Sequence, residues 1–193
     1  MLRTEGLTKR FGGIVATDNV DFELESDELC SLIGPNGAGK TTFFNLLTGA
    51  LEPTEGTVEF EGDDITDAEP EETASLGIHR SFQITNIFPT STVLENIRIA
   101  AQAKSTKSLH LWRNFQAYDE FQEEAYRILE RVGLDDRASE FAQSLSHGEK
   151  RKLEVGIALA GDPDVLLLDE PNAGVSSESV GEIIDLIEDV SQD

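Results

Sequence analysis

The feature that most constrains this chain is a glycine-rich octapeptide, Gly34-Pro35-Asn36-Gly37-Ala38-Gly39-Lys40-Thr41, set between an apolar run and a helical pattern. Upstream, Leu29-Cys30-Ser31-Leu32-Ile33 reads as a buried strand. Downstream, Thr42-Phe43-Phe44-Asn45-Leu46-Leu47 reads as a short helix closed by Gly49. Strand, glycine loop and helix, in that order, let backbone amides wrap a phosphate at a helix N-terminus, where the orphan N–H groups and the helix dipole favour an anion. Residues Gly34 to Gly39 form the cradle, Lys40 reaches the β and γ phosphates, and the hydroxyl-bearing Thr41 and Thr42 open the helix, Thr41 as a ligand to Mg²⁺. The expected ligands are therefore ATP and Mg²⁺.

A second apolar run, Val165-Leu166-Leu167-Leu168, reads as another buried strand and ends on Asp169-Glu170. At the carboxyl edge of an open α/β sheet, adjacent carboxylates beside a phosphate loop suggest divided roles. Asp169 is suited to hold Mg²⁺ through water, and Glu170 to polarise the water that attacks the γ-phosphate.

Elsewhere, Val20-Asp21-Phe22-Glu23-Leu24 alternates as a half-buried strand and Thr57-Val58-Glu59-Phe60 as another, while residues 61–72, EGDDITDAEPEE, read as a solvated acidic loop with no metal. From about 92 to 160 the period becomes helical, with Phe121, Ala125, Ile128, Leu129 and Val132 on one stripe before Gly133. Val180, Ile183, Ile184, Ile187 and Val190 are expected to line one face of a final helix. Strands alternating with helices imply an α/β fold with a mostly parallel sheet.

Asp and Glu number 38 against 15 Lys and Arg, a formal net charge of −23. That balance argues against DNA or RNA as partner, because phosphate neutralisation needs clustered basic residues. It also suits a salt-rich cytosol, where screening removes the self-repulsion of exposed carboxylates. The single cysteine, Cys30, forms no intrachain disulfide and is expected to be a buried thiol in a reducing compartment. The N-terminus lacks the apolar core of a signal peptide, and no run approaches a bilayer span, so membrane association is expected only through partners.

Leu145-Ser146-His147-Gly148-Glu149, ahead of a helix and upstream of Asp169, completes a set that resembles the ABC-transporter nucleotide-binding domain over the whole chain. The longest stretches similar to the ATPases of branched-chain amino-acid importers are FGGIVATDNVDFEL, HRSFQITNIFPTSTVLENI and LSHGEKRKLEVGIALAGDPDVLLLDEP. The resemblance implies a P-loop core with an N-terminal antiparallel β subdomain and an inserted helical subdomain. The core is expected over about 1–82 and 161–193, the helices over about 84–160, in one domain spanning 1–193.

It also implies roles. Gln83 in Arg80-Ser81-Phe82-Gln83 matches the glutamine that contacts Mg²⁺ and the attacking water, and Phe11 matches the aromatic that stacks on adenine, where the family often has Tyr. Ser146, Gly148 and Glu149 match the signature that clamps the γ-phosphate bound to an opposite subunit; His147 stands where many members have Gly. PNAGVS, 171–176, departs from the D-loop pattern at Val175-Ser176.

The partners so implied are a second ABC ATPase subunit and membrane permease subunits, with the chain cytoplasmic and peripheral on the inner face of the membrane. The family's switch histidine has no counterpart in residues 171–193, so the chain reads as C-terminally truncated and is expected to bind ATP through Lys40 but turn it over slowly. A non-transport ABC ATPase and a nucleotide-binding module with little turnover remain as alternatives.

Overall fold

The computed structural model describes residues 1–81, 87–104, 115–169 and 177–190. The chain divides into two units, Met1–His79 and Arg80–Val190.

In the first unit, β1 (Leu2–Phe11) and β2 (Ile14–Leu24) form an antiparallel hairpin turned at Gly12-Gly13. Apolar and β-branched residues at alternating positions bury one face of β1, where Leu2, Thr4 and Leu7 are inaccessible to solvent or nearly so. On β2, Val20, Phe22 and Leu24 are half-buried and Asp21 and Glu23 exposed, as their alternation predicts. The first strand pairs on its other edge with β3 (Glu55–Phe60), giving the order β2-β1-β3-β4 with the two-residue β4 (Asp63–Asp64). Helix α1 (Lys40–Leu47) buries Phe43, Leu46 and Leu47, and Phe43 meets Phe22 of the hairpin edge to face at 5.5 Å.

The acidic stretch 61–72 is more ordered than a solvated loop. Asp63-Asp64 pair with Glu59 and Phe60. Thr66 donates twice to the Asp64 carboxylate, and this bonding holds the Asp64 pKa below the ordinary range. Glu69 and Glu72 form a reciprocal capping box on α2 (Pro70–Ser75), which Thr73 ties to the Thr48 carbonyl at 2.9 Å. Local side-chain bonding here outweighs the mutual repulsion that a charge count suggests.

A second correction concerns 29–33. Leu29, Leu32 and Ile33 are 51%, 44% and 91% exposed and Cys30 is exposed too, and no strand is formed there among the described residues. An apolar run records affinity for a sheet interior, but burial follows only where neighbouring strands supply the ladder, which the run itself does not encode.

The second unit opens on the end of β5 (Ile78–Ser81), which forms a two-stranded sheet with β6 (Val165–Leu168). Its core joins α3 (Val93–Lys104), α4 (Phe115–Arg131) and α5 (His147–Leu159) through Val93, Ile97, Leu129, Val132 and Leu153, each at most 2% exposed. The α4 stripe read from sequence is the face that enters this core. On α6 (Ser177–Val190) Leu186 is buried and Ile187 half-buried, while Ile184, expected on the apolar face, is 42% exposed. Leu186 joins the core cluster of the second unit.

Candidate functional site

The phosphate loop is built against the hairpin. Gly39 takes φ +87°, and a Cβ on it would lie 2.1 Å from the Ala16 carbonyl oxygen of β2, so both its conformation and its contact require glycine. The loop closes with Ala38 N–H donating to the Pro35 carbonyl at 3.1 Å, and the α-helical ladder begins with Phe43 N–H to Gly39 at 2.8 Å. The amides of Lys40, Thr41 and Thr42 therefore precede the first helical bond. Helix α1 has no side-chain cap and no acidic residue in its first turn. Lys40 Nζ folds back to donate to the carbonyls of Gly34 at 2.6 Å and Pro35 at 3.0 Å. The buried Thr17 hydroxyl, beside Gly39, has no hydrogen-bond partner among the described residues. Unused donors around a glycine cradle fit the oxygens of a nucleotide phosphate.

Phe11 lies on the same hairpin, at the end of β1 and paired with Ile14. It is 47% exposed, which sets it apart from core aromatics, and Lys9 Nζ stands 5.4 Å from its ring centroid. An accessible ring beside the turn of the hairpin against which the phosphate loop packs is suited to stacking on a base.

Asp169, immediately after β6, is 4% exposed. Its carboxylate accepts from Arg80 Nη2 at 2.6 Å, and its backbone carbonyl accepts from Arg151 Nη2 of α5 at 2.9 Å. Arg151 also pairs with Glu154 at 2.6 Å. Two arginines thus grip the strand end that precedes residue 170, one through charge and one through the backbone. Sequence reading assigned neither a role. The signal available was two arginines beside apolar segments in a chain with only 15 basic residues.

Ser146 is the N-cap of α5, which begins at His147. Its hydroxyl accepts from Glu149 N–H at 3.3 Å, and the Glu149 carboxylate accepts from Ser146 N–H at 2.8 Å, a reciprocal capping box. The hydrogen bonds from Ser146 hold the Glu149 pKa below its ordinary value, helped by the charges of Arg137 and Lys152. Arg137 lies 3.4 Å from Glu149, and Lys152 bonds to Glu182 at 2.7 Å. With Gly148 these groups line a polar cleft of about 310 Å³, while His147 is exposed.

Gln83, Glu170 and the D-loop positions 171–176 lie outside the described residues. Mg²⁺ keeps several waters and takes much of its coordination from substrate phosphates. In the first unit a threonine hydroxyl at the head of α1 has the chemistry of a Mg²⁺ ligand, and in the second the buried carboxylate after β6 has it too. No helix among the described residues is long and apolar enough to cross a membrane.

Comparison with known proteins gives the lineage. The ABC transporter family model matches residues 17–173. The chain is 38% identical over 192 residues to the high-affinity branched-chain amino acid transport ATP-binding protein LivG of Escherichia coli K12, covering 97% of this chain and 75% of the relative. It is 42% identical over 178 residues to the probable LivG protein of Archaeoglobus fulgidus, covering 91% and 69%. An ATP-binding cassette of an ABC transporter solved in its ADP conformation superposes with a TM-score of 0.86 at 36% identity, covering 98% of this chain and 76% of that one. A dimeric cassette bound to ADP and Pi gives 0.81 at 26% identity, over 100% and 83%. The fold is that of the ABC ATPases, an α/β P-loop core with a β subdomain and inserted helices. On these matches, with the glycine loop, the capped signature helix and the buried strand-end carboxylate in one chain, this protein belongs to the ABC transporter family as one of its ATPase cassettes.

Proposed function

We propose that the chain is the ATP-hydrolysing subunit of an amino-acid importer, with branched-chain amino acids as the substrate class. The observation that carries the nucleotide half of this reading is the uncapped start of α1, with the glycine cradle wedged on Ala16 and Lys40 turned back over the loop. The similarity to LivG proteins supports the transport half.

In this reading Lys40 exchanges its two carbonyl partners for phosphate oxygens, and the amides at the head of α1 hold the same group. Phe11 stacks on adenine. Thr41, Asp169 and Gln83 hold Mg²⁺, which when bound neutralises charge on the β and γ phosphates. Glu170 takes the proton of the attacking water. Ser146, with Gly148 and Glu149, presents its hydroxyl to the nucleotide of a second ATPase subunit, so two chains complete each other's sites. The dimer docks on membrane permease subunits at the cytoplasmic face. We place the division of labour along the chain in a core of about 1–82 and 161–193 and a helical subdomain of about 84–160.

Light scattering of the Glu170→Gln protein tests this, because removing the base should trap the closed pair. Mg-ATP is expected to convert monomer to dimer, and Lys40→Ala to abolish the conversion. A protein that binds ATP yet stays monomeric under all these conditions overturns the shared-site reading. Reconstitution with its permease, followed by uptake of labelled leucine against labelled polar amino acids, tests the substrate class.

A further inference from the structure

Arg80 and Asp169 form an ion pair whose side chains are only 8% and 5% exposed, with Nη2 to Oδ2 at 2.6 Å. Burying a lone carboxylate is costly, and here the guanidinium offsets that cost. The pair spans 89 positions in sequence, and nothing in the glycine-loop chemistry calls for it. Its presence on the one carboxylate read as a metal group has a direct electrostatic consequence. A divalent cation approaching Asp169 meets a charge already balanced and a second cation alongside, which in a poorly hydrated site repels it strongly.

We propose that Arg80 is the counter-charge that Mg²⁺ has to displace from Asp169, so that the site stays closed to the free ion and fills only together with nucleotide phosphates. This rests on the reading of Asp169 as the metal carboxylate. Phosphate oxygens tip the balance because they bring the negative charge that the neutral pair lacks. The pair also protects the nucleotide-free protein, which would otherwise bury an unpaired carboxylate.

The test uses Mn²⁺ as the probe, its free-ion electron paramagnetic resonance signal read at about 1 M KCl so that ions held by the acidic surface are screened out. Parent, Arg80→Gln and Asp169→Asn proteins are titrated with and without ADP. The parent is expected to take up Mn²⁺ only with ADP. Arg80→Gln is expected to bind it on the order of tenfold more tightly with ADP and measurably without it. Asp169→Asn should lose the ADP-linked site. If Asp169→Asn weakens the metal but Arg80→Gln leaves affinity equal or lower, Asp169 keeps its role and Arg80 is no competitor, which overturns the proposal. If Asp169→Asn leaves Mn²⁺ affinity unchanged, the metal reading of Asp169 fails and takes the proposal with it. Should Arg80→Gln not fold, Arg80→Lys decides: it keeps the charge on a shorter reach and is expected to bind Mn²⁺ more tightly than the parent, and equal or weaker binding again overturns the proposal.

Discussion

Gly39 carries two constraints at one Cα, a left-handed φ of +87° and a wall of backbone 2.1 Å from where a Cβ would stand. Gly39→Ala is therefore expected to cost roughly 2–3 kcal/mol in denaturant unfolding and to impair nucleotide binding, since the loop must lift off β2 to admit the methyl. Binding and stability equal to the parent's would refute the wedge. Lys40→Ala should weaken ATP by roughly 10–100-fold in calorimetry, the worth of charged hydrogen bonds to phosphate. Glu149 gives a pH signature. Its pKa is depressed in the fold by Ser146 first and by Arg137 and Lys152 in addition. Its contribution is thus complete above the unfolded value of about 4.3 and vanishes as pH falls through the lower folded one. Its side chain is 27% exposed, so less than about 1 kcal/mol is at stake. Glu149→Gln, which can keep the capping box, should lose less stability than the parent between about pH 5 and pH 3 in melts followed by circular dichroism. The glycines, Lys40 and Ser146 were legible because a spacing rule ties each to a local geometry. Arg80 and Arg151 were not, because their partners are set by strand and helix adjacency that no local pattern encodes.

At the scale of elements, α4 shows why helices read well: its stripe of Ala125, Ile128, Leu129 and Val132 is the buried face, since the 3.6-residue period and the packing surface are one property. Strand readings depend on neighbours. The apolar run at 29–33 has the composition of an interior strand and yet exposes Leu29, Leu32 and Ile33. Charge counting failed in the opposite direction at 61–72, where side-chain caps on Glu69 and Glu72 make a helix end from what looked like solvated acid. Helix contact in the second unit turns on Gly156, where a Cβ would meet Ile97 Cδ1 at 3.0 Å, Ile128 Cγ2 at 3.4 Å and Val132 Cγ1 at 3.5 Å. Gly156→Leu should force α5 away from α3 and α4 and cost about 1–3 kcal/mol in denaturant unfolding. Leu129→Ala, opening a void in the same cluster, should cost about 2–5 kcal/mol. If Gly156→Leu were neutral, the close approach would not be what holds these helices.

For the whole molecule the dominant quantity is the net charge of −23. Its repulsion acts over about 10 Å in 0.1 M salt and about 3 Å in 1 M. Melting temperature is expected to rise from low to molar KCl; a maximum at low salt would show that the surface is adapted to dilute cytosol. The family was legible from motifs, yet how those motifs are braced was not, and the bracing bears on how the molecule works as a machine. Arg151 sits one turn beyond the Ser146 cap on the same helix and bonds, out of reach of water, to the carbonyl of Asp169. An α-helix is stiff over that distance, so the serine and the strand end behave like the two ends of a connecting rod. In the proposed dimer, a load applied at the cap would have a short path through α5 and the Arg151 guanidinium to the Asp169 carbonyl. One helix thus joins the proposed clamp at its first turn to the strand end at Asp169.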